Sequence, residues 1–254
     1  MKRDEEKRGD SSFAEGAVSI LSVIKNGSRE VHEIFVLPTV KKEEKNILKL
    51  FSLAKKKKIP IRLSNTEFFD SVTTGHTHGG VIASVGERKM KTPREVFKEG
   101  NGFVFMLCGI EDPFNFGCAV RSFFAAGAGG MILTPRNWLS AAGVTLRSSA
   151  GTTEGIACAV CTDPEEICKI AKEEGYQIVC ASEKNSVDLY EADLGEKLFV
   201  IVGGEKRGIS KDFLNLSDLS VCIPYGRNFS GSLTTSAAAA VIAFEILRRN
   251  KFKG

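Results

Sequence analysis

The sequence predicts an α/β protein in two parts, a small N-terminal α/β module and a larger C-terminal domain on a parallel sheet. Three observations carry this. Apolar runs recur after Phe103, namely FVFMLCG, MIL, IACAV, YQIVCAS, LFVIVG and LSVCIP, with helical patterns between them. Such runs do not alternate, so they read as strands covered on both faces, the habit of parallel sheets. The stretch before them alternates shorter helices and strands over about 75 residues, enough for a small domain. The full 254 residues suit one large or two small domains.

The elements follow in order. Residues 1–12 carry no apolar core, so they read as a solvated tail rather than a secretory signal. EGAVSILSVIKNG reads as a helix ended by Gly27, and Val31–Leu37 as a strand. Lys41–Lys58 reads as a helix with Ile47, Leu50, Phe51 and Ala54 on one stripe, stopped before Pro60. IPIRL is a short strand, NTEFFDSV a helix opened by Asn65, and GGVIASV a strand. The first domain is thus expected over 13–86. Residues 87–102 are charged, with Pro93 and two glycines, and read as a linker with a helical turn. The second domain is expected over 103–254. It ends in a helix from Ser232 to Arg249 that should bury Leu233, Ala237, Ala240, Phe244 and Leu247.

Composition narrows the classes. Hydrophobic residues at 43% and charged residues at 26% exclude collagen, a disordered chain and a bare disulfide scaffold. No apolar run approaches the roughly 18 residues that span a bilayer, so no membrane is expected. Seven cysteines, an odd number without an export signal, predict reduced thiols in a cytoplasmic compartment. Net charge is +4, and it is uneven. Residues 1–100 carry a net +6 and the remainder a net −2, so the front half could face a polyanion or simply present a lysine-rich surface.

Several signals are set aside. GAGG at Gly127–Gly130 is not G-x-G-x-x-G, and GGEKRGIS lacks the Gly-Lys-Ser/Thr of a P-loop. Cys158 and Cys161 form a lone C-x-x-C, for which core packing is the better reading. His76 and His78 could face the same way, but no further metal ligand is identifiable, so no metal is expected.

Three motifs remain, each at the carboxyl end of a strand, where α/β sheets bind ligands. Glu111–Leu133 turns at Asp112-Pro113 into a helix that Asn115 could cap, with Phe116, Val120, Phe123 and Phe124 buried. Arg121 shares a face with Gly117, and helical side chains lean toward the N-terminus, so Arg121 could reach back toward Asn115. In Phe199–Ser210 the pair Gly203-Gly204 permits positive φ and close approach of a ligand. In Cys222–Ile246 a Gly, Arg, Asn and Ser loop enters an alanine-rich helix. Its first turn offers N–H groups and the hydroxyls of Ser232, Thr234 and Thr235.

DPFNFGCAVRS, SSAGTTE, VGGEKRGIS and IPYGRNFSGSLTTS together resemble the SpoU branch of the SPOUT methyltransferases, across nearly all of residues 101–254. EGAVSIL and HTHGGVIASV resemble, more loosely, the substrate-binding domain of the 23S rRNA 2′-O-methyltransferases of that branch. The resemblance implies a C-terminal domain with a deep trefoil knot, a small RNA-binding domain before it, and a homodimer with sites near the subunit interface. It implies transfer of a methyl group from S-adenosylmethionine to a ribose 2′-hydroxyl, in ribosomal RNA first. A tRNA target, or a catalytically weak RNA-binding protein on this scaffold, are the alternatives; DNA is not implied.

By position, Asn115, Arg121, Glu205, Ser232 and Thr234 match catalytic or RNA-contacting residues. Gly203, Ile223, Leu233 and Ala181 would contact the cofactor. Arg121 is the expected base. Because a guanidinium holds its proton, the other reading is that it grips a phosphate and stabilises the developing alkoxide. The family has Ser-Leu-Asn where this chain has Ser232-Leu233-Thr234, which keeps a hydroxyl and loses the amide donors. Lys56 (within Lys55–Lys58), Arg62 and Arg88 are the candidate phosphate contacts. The lysine run equally reads as a solvated helix end.

Overall fold

The computed structural model describes residues 12–73, 77–135, 142–204 and 206–251. Along the chain the first elements are β1 (Ser12–Glu15), α1 (Ala17–Asn26), β2 (Val31–Val36), α2 (Lys45–Lys57), β3 (Ile61–Leu63), α3 (Thr66–Val72) and β4 (Val81–Val85). They continue with α4 (Pro93–Glu99), β5 (Phe103–Cys108), α5 (Pro113–Ala125), β6 (Gly130–Leu133), α6 (Ala142–Ser148) and α7 (Thr152–Gly155). The rest are β7 (Ala157–Val160), α8 (Pro164–Glu173), β8 (Gln177–Ala181), β9 (Val187–Asp188), β10 (Leu198–Gly203), α9 (Lys211–Leu216), β11 (Leu219–Cys222) and α10 (Thr235–Lys251).

The chain divides into two units. In the N-terminal unit four strands run β1-β4-β2-β3, antiparallel except for the parallel β2–β3 pair. One face of this sheet buries Ile34, Val36, Ala83 and Val85 against Ile20, Val23 and Ile24 of α1 and Ile47, Leu50 and Ala54 of α2. Gly27 ends α1 as expected, with φ 59° and its N–H on the Val23 carbonyl. Helix α2 starts later than expected, and Phe51 is only partly buried. Asn65 does open α3, its side chain accepting from the Phe68 N–H.

Residues 142–155, expected in the second domain, group with this unit instead. Leu146 joins its core. The Ser22 hydroxyl donates to the Gly151 carbonyl at 2.6 Å. Glu15, 2% exposed, pairs with Arg147 at 2.7 Å. Glu154 is buried among Ser28 at 2.5 Å, Arg29 at 3.1 Å and Arg88 at 3.8 Å. A buried carboxylate needs such partners. Ser28 and Arg29 lie more than 120 positions from Glu154 and Arg88 lies 66 away, so no local pattern announces them.

The C-terminal unit holds a parallel seven-stranded sheet ordered β7-β6-β5-β10-β8-β11-β9. β5, β6 and β10 are buried nearly throughout, as continuous apolar runs require. The expected linker contains α4, opened by a capping box in which Thr92 and Glu95 bond reciprocally. Val96 and Phe97 of α4 are buried with Val104, Ile201 and Phe199, and the Phe97 and Phe199 rings lie 5.1 Å apart. That segment is therefore core rather than linker.

Helix α10 also departs from expectation. It buries Ala239, Ile242, Ala243 and Ile246, while Ala237, Ala240 and Leu247 are half-covered and Phe244 is exposed. The helix is apolar on two faces, so its period alone could not choose between them. Glu245 is buried because Arg248 and Arg249 pair with it at 2.8 and 2.7 Å. The Arg248 hydrogen bond, then that of Arg249, holds its carboxyl below the usual range. Among the described residues no helix is long and apolar enough to cross a membrane.

Candidate active site

The three motif loops leave the carboxyl ends of β5, β10 and β11, and they meet. Gly204 donates its N–H to the Cys108 carbonyl at 2.6 Å, and Gly208 returns its own to Gly204 at 3.0 Å. A Cβ on Gly203 would stand 2.7 Å from the Gly208 carbonyl carbon, and one on Gly204 would overlap the Gly109 backbone. Neither has a positive φ. The glycine pair is thus required by close approach of the chain to itself, rather than by a positive φ. The third loop is tied in by Thr235, 4% exposed, whose hydroxyl donates to the Gly203 carbonyl at 3.1 Å.

A cleft of about 120 Å³ opens at this junction. Gly109, Ile110, Glu111, Asp112 and Asn115 line it from the first motif, Lys206 from the second and Thr235 from the third. Asp112, not Asn115, caps α5, accepting from the Phe114 and Asn115 N–H groups at 3.1 and 3.2 Å. Pro113 follows in the first helical position, where its missing N–H costs nothing. This leaves the half-buried Asn115 side chain turned to the cleft. Lys206 was not singled out by sequence; its amine lies 3.1 Å from Glu111. Its one signal was a cation inside the second motif.

The remaining candidates lie as follows. Arg121 is exposed on α5 and does not line the cleft; its charge acts on Cys118, whose thiol is pushed up chiefly by burial. Phe116, Val120 and Phe123 are buried as expected, whereas Phe124 is 40% exposed. Ala181, Val202 and Val221 share a register across β8, β10 and β11, so Ala181, Gly203 and Ile223 stand at or just past the carboxyl ends of neighbouring strands. Residues 224–232 are all exposed. Within that loop Tyr225 and Phe229 pack edge to face at 5.6 Å, and the Tyr225 hydroxyl accepts from the Leu233 N–H at 3.2 Å. Ser232 is exposed. Thr234 caps α10, its hydroxyl accepting from the Ala237 N–H at 3.3 Å. Glu205 and His76 lie outside the described residues.

In the N-terminal unit Lys56 is exposed, and Arg62 keeps 69% of its side chain exposed while pairing with Glu33 at 2.9 Å. Arg88 does not fit a phosphate contact. Only 9% of its side chain is exposed, beside Glu154. His78 is a core histidine whose Nδ1 accepts from the Gly80 N–H at 3.1 Å, against Phe69. All seven cysteines are free, with Cys158 and Cys161 buried, and no metal-holding cluster occurs among the described residues.

Comparison with known proteins gives the family. The SpoU rRNA Methylase family matches residues 102–244, and the family described as RNA 2′-O ribose methyltransferase substrate binding matches residues 13–90. The 23S rRNA (guanosine-2′-O-)-methyltransferase RlmB of Shewanella oneidensis is 26% identical over 249 residues, 96% of this chain and 99% of the relative. RlmB of Escherichia coli is 25% identical over 244 residues, 94% and 99% of the two chains. Among solved structures, the SpoU methyltransferase AviRb of Streptomyces viridochromogenes with AdoMet superposes at a TM-score of 0.81 and 19% identity, covering 99% and 94% of the chains. An AdoMet-bound rRNA methyltransferase from Sinorhizobium meliloti gives 0.77 at 21%, covering 98% and 89%. At those identities the structures speak to the fold. With more than half its length matched, the chain belongs to the SpoU rRNA methylase family.

Proposed function

We propose that this protein is an S-adenosylmethionine-dependent RNA methyltransferase that modifies a ribose 2′-hydroxyl in ribosomal RNA. The observation that carries the reading is the junction of the three motif loops at one cleft, held by the Thr235–Gly203 hydrogen bond. Its lining holds backbone groups, the Thr235 hydroxyl, the Asn115 amide and two carboxylates already engaged, Asp112 as the α5 cap and Glu111 with Lys206, which suits a nucleoside-like cofactor rather than a metal. S-adenosylmethionine, when bound, supplies an electrophilic methyl group.

The chain's own residues do the rest. Gly203, Ala181 and Ile223, at the carboxyl ends of adjacent strands, and Leu233, in the loop before α10, hold the cofactor chiefly through backbone groups. The exposed loop 224–232, which leads from β11 to Thr235 at the cleft, supplies further surface for the cofactor. Asn115, Ser232 and Thr234 orient the ribose. Holding oxygen and methyl in line is worth much of the barrier. Methyl transfer would leave the cofactor as a neutral thioether, and the proton of the ribose hydroxyl would pass to solvent water. Arg121 keeps its own proton and acts as a charged fork on the adjacent phosphate and the developing alkoxide.

Arg121 stands outside the cleft of one protomer, which fits a site completed by a second copy. Helices α5 and α10 pack on each other, and each leaves a ring exposed, Phe124 at 40% and Phe244 at 49%. We assign this face to a homodimer, and we propose that the β11–α10 loop, tied to β10 by the Thr235–Gly203 hydrogen bond, forms part of the family's trefoil knot. Seven free thiols and an RNA substrate fit the cytoplasm.

Transfer of labelled methyl from S-adenosylmethionine to ribosomal RNA tests the reading. Label in ribosomal RNA is expected; label only in tRNA would move the substrate, and no label in either would overturn the function.

A further inference from the structure

The second face of the N-terminal sheet is only partly covered. Helix α3 lays Phe68 and Phe69 over one part of it. Beside them runs an open groove of about 1260 Å³ whose lining lies wholly within residues 13–87. The register explains its make-up. Phe13 of β1 lies opposite Ser84 of β4, which lies opposite Glu33 of β2. In the next row Ile82, Phe35 and Arg62 are aligned across β4, β2 and β3.

Three half-buried rings therefore gather in the groove. Phe35 and Phe68 are 4.9 Å apart and tilted by 52°, and Phe13 meets Phe68 at 6.0 Å and 78°. They form a notch rather than a flat shelf. Polar groups stand at its rim. Arg62 is exposed, His32 and Asn65 are exposed, and Ser64 is half-covered. β3 is the sheet's edge strand, and all three of its residues are exposed.

We propose that this groove binds unpaired nucleotides of the RNA substrate, bases inward and backbone outward. The proposal rests on the RNA methyltransferase reading above and adds where, and in what form, the RNA is held. A base in a duplex has both faces covered by its neighbours, so only an unpaired base can offer a face to a phenylalanine. Glu33 and Glu87, at the groove, repel phosphates and keep the backbone out. Arg62, outermost of its row, meets the phosphate at the rim and exchanges Glu33 for it. This divides the work differently from a basic patch, which would grip duplex and single strand alike.

The test measures binding of the full-length chain to a labelled unstructured RNA oligonucleotide and to an RNA duplex of equal length. The unstructured RNA is expected to bind at least tenfold tighter. Phe35→Leu and Phe68→Leu keep apolar bulk and remove the ring; each should weaken single-strand binding by about tenfold, the scale of one lost base stack. Thermal unfolding checks that both variants fold. Arg62→Glu, at an exposed position, should weaken binding by a similar factor without touching the core. Ultraviolet cross-links on the parent chain should map to peptides holding Phe13, Phe35 or residues 61–68. Equal affinity for duplex, unchanged affinity in all three variants, or cross-links confined elsewhere would overturn the groove and leave its edge strand to a protein ligand. If the parent still transfers methyl groups in that case, only the groove falls. A parent that neither binds RNA nor transfers methyl removes both readings.

Discussion

The two sheets of this protein handle their faces in opposite ways. The C-terminal sheet is covered on both faces, and its candidate chemistry lies at the strand ends, where β5, β10 and β11 release loops that meet at Gly109, Gly204 and Thr235. The N-terminal sheet is covered fully on one face only, and its candidate ligand site is the other face, with the Phe13, Phe35 and Phe68 rings. A two-faced core fixes a small reacting geometry, since nothing at its edge can shift without disturbing packing. A half-covered sheet offers area for a larger and more variable ligand. The first should lose activity when an end-loop residue changes; the second should lose affinity.

The largest effect separates these roles. Arg121→Ala should reduce methyl transfer by about a hundredfold or more, the scale for removing a charge from a developing anion. Its thermal unfolding should be unchanged, because the residue is exposed. Activity within tenfold of the parent would contradict its role. Next comes the inserted segment. Arg29→Met leaves the buried Glu154 carboxylate with a poorer set of partners and should cost about 3 kcal/mol in urea unfolding. A cost under about 0.5 kcal/mol, the range of an ordinary surface change, would mean that the ion cluster does not hold residues 142–155.

A smaller effect concerns the departure at Thr234. Its hydroxyl serves as the helix cap, so Thr234→Ala should cost about 1 kcal/mol, while Thr234→Asn keeps the cap. An unfolding midpoint in the alanine variant equal to the parent's would remove the cap assignment. The mildest test reads the covered sheet directly. Burial pushes the Cys161 thiol up to about 12 and those of Cys168 and Cys180 to about 11, so little thiolate forms at mildly alkaline pH. Alkylation of the native chain should reach the half-buried Cys118 and Cys222 first and the others only on unfolding. Prompt labelling of Cys180 would mean that the sheet opens.

The same contrast explains what could be read from sequence. Uniform apolar runs announced the strands of the covered sheet, and the three motifs stood where its strand ends now lie. The short β1 and β9 gave no run to read. The buried face of α10 was misjudged because Phe244 and Ile246 are equally apolar. Asp112 and Asn115 both suit a cap, and only coordinates assign the role to Asp112. Arg88 looked like a free cation because its partner, Glu154, is far along the chain. The aromatic notch was hidden for a related reason: Phe13, Phe35 and Phe68 belong to three elements and share no motif.

The most direct measurement is the position and chemistry of the methyl group. Ribosomal RNA from cells lacking this protein, treated with the full-length chain and S-adenosylmethionine, should gain one ribose 2′-O-methyl at a defined nucleotide, and Arg121→Ala should not restore it. A methyl group on a base, or no new modification, would contradict the account.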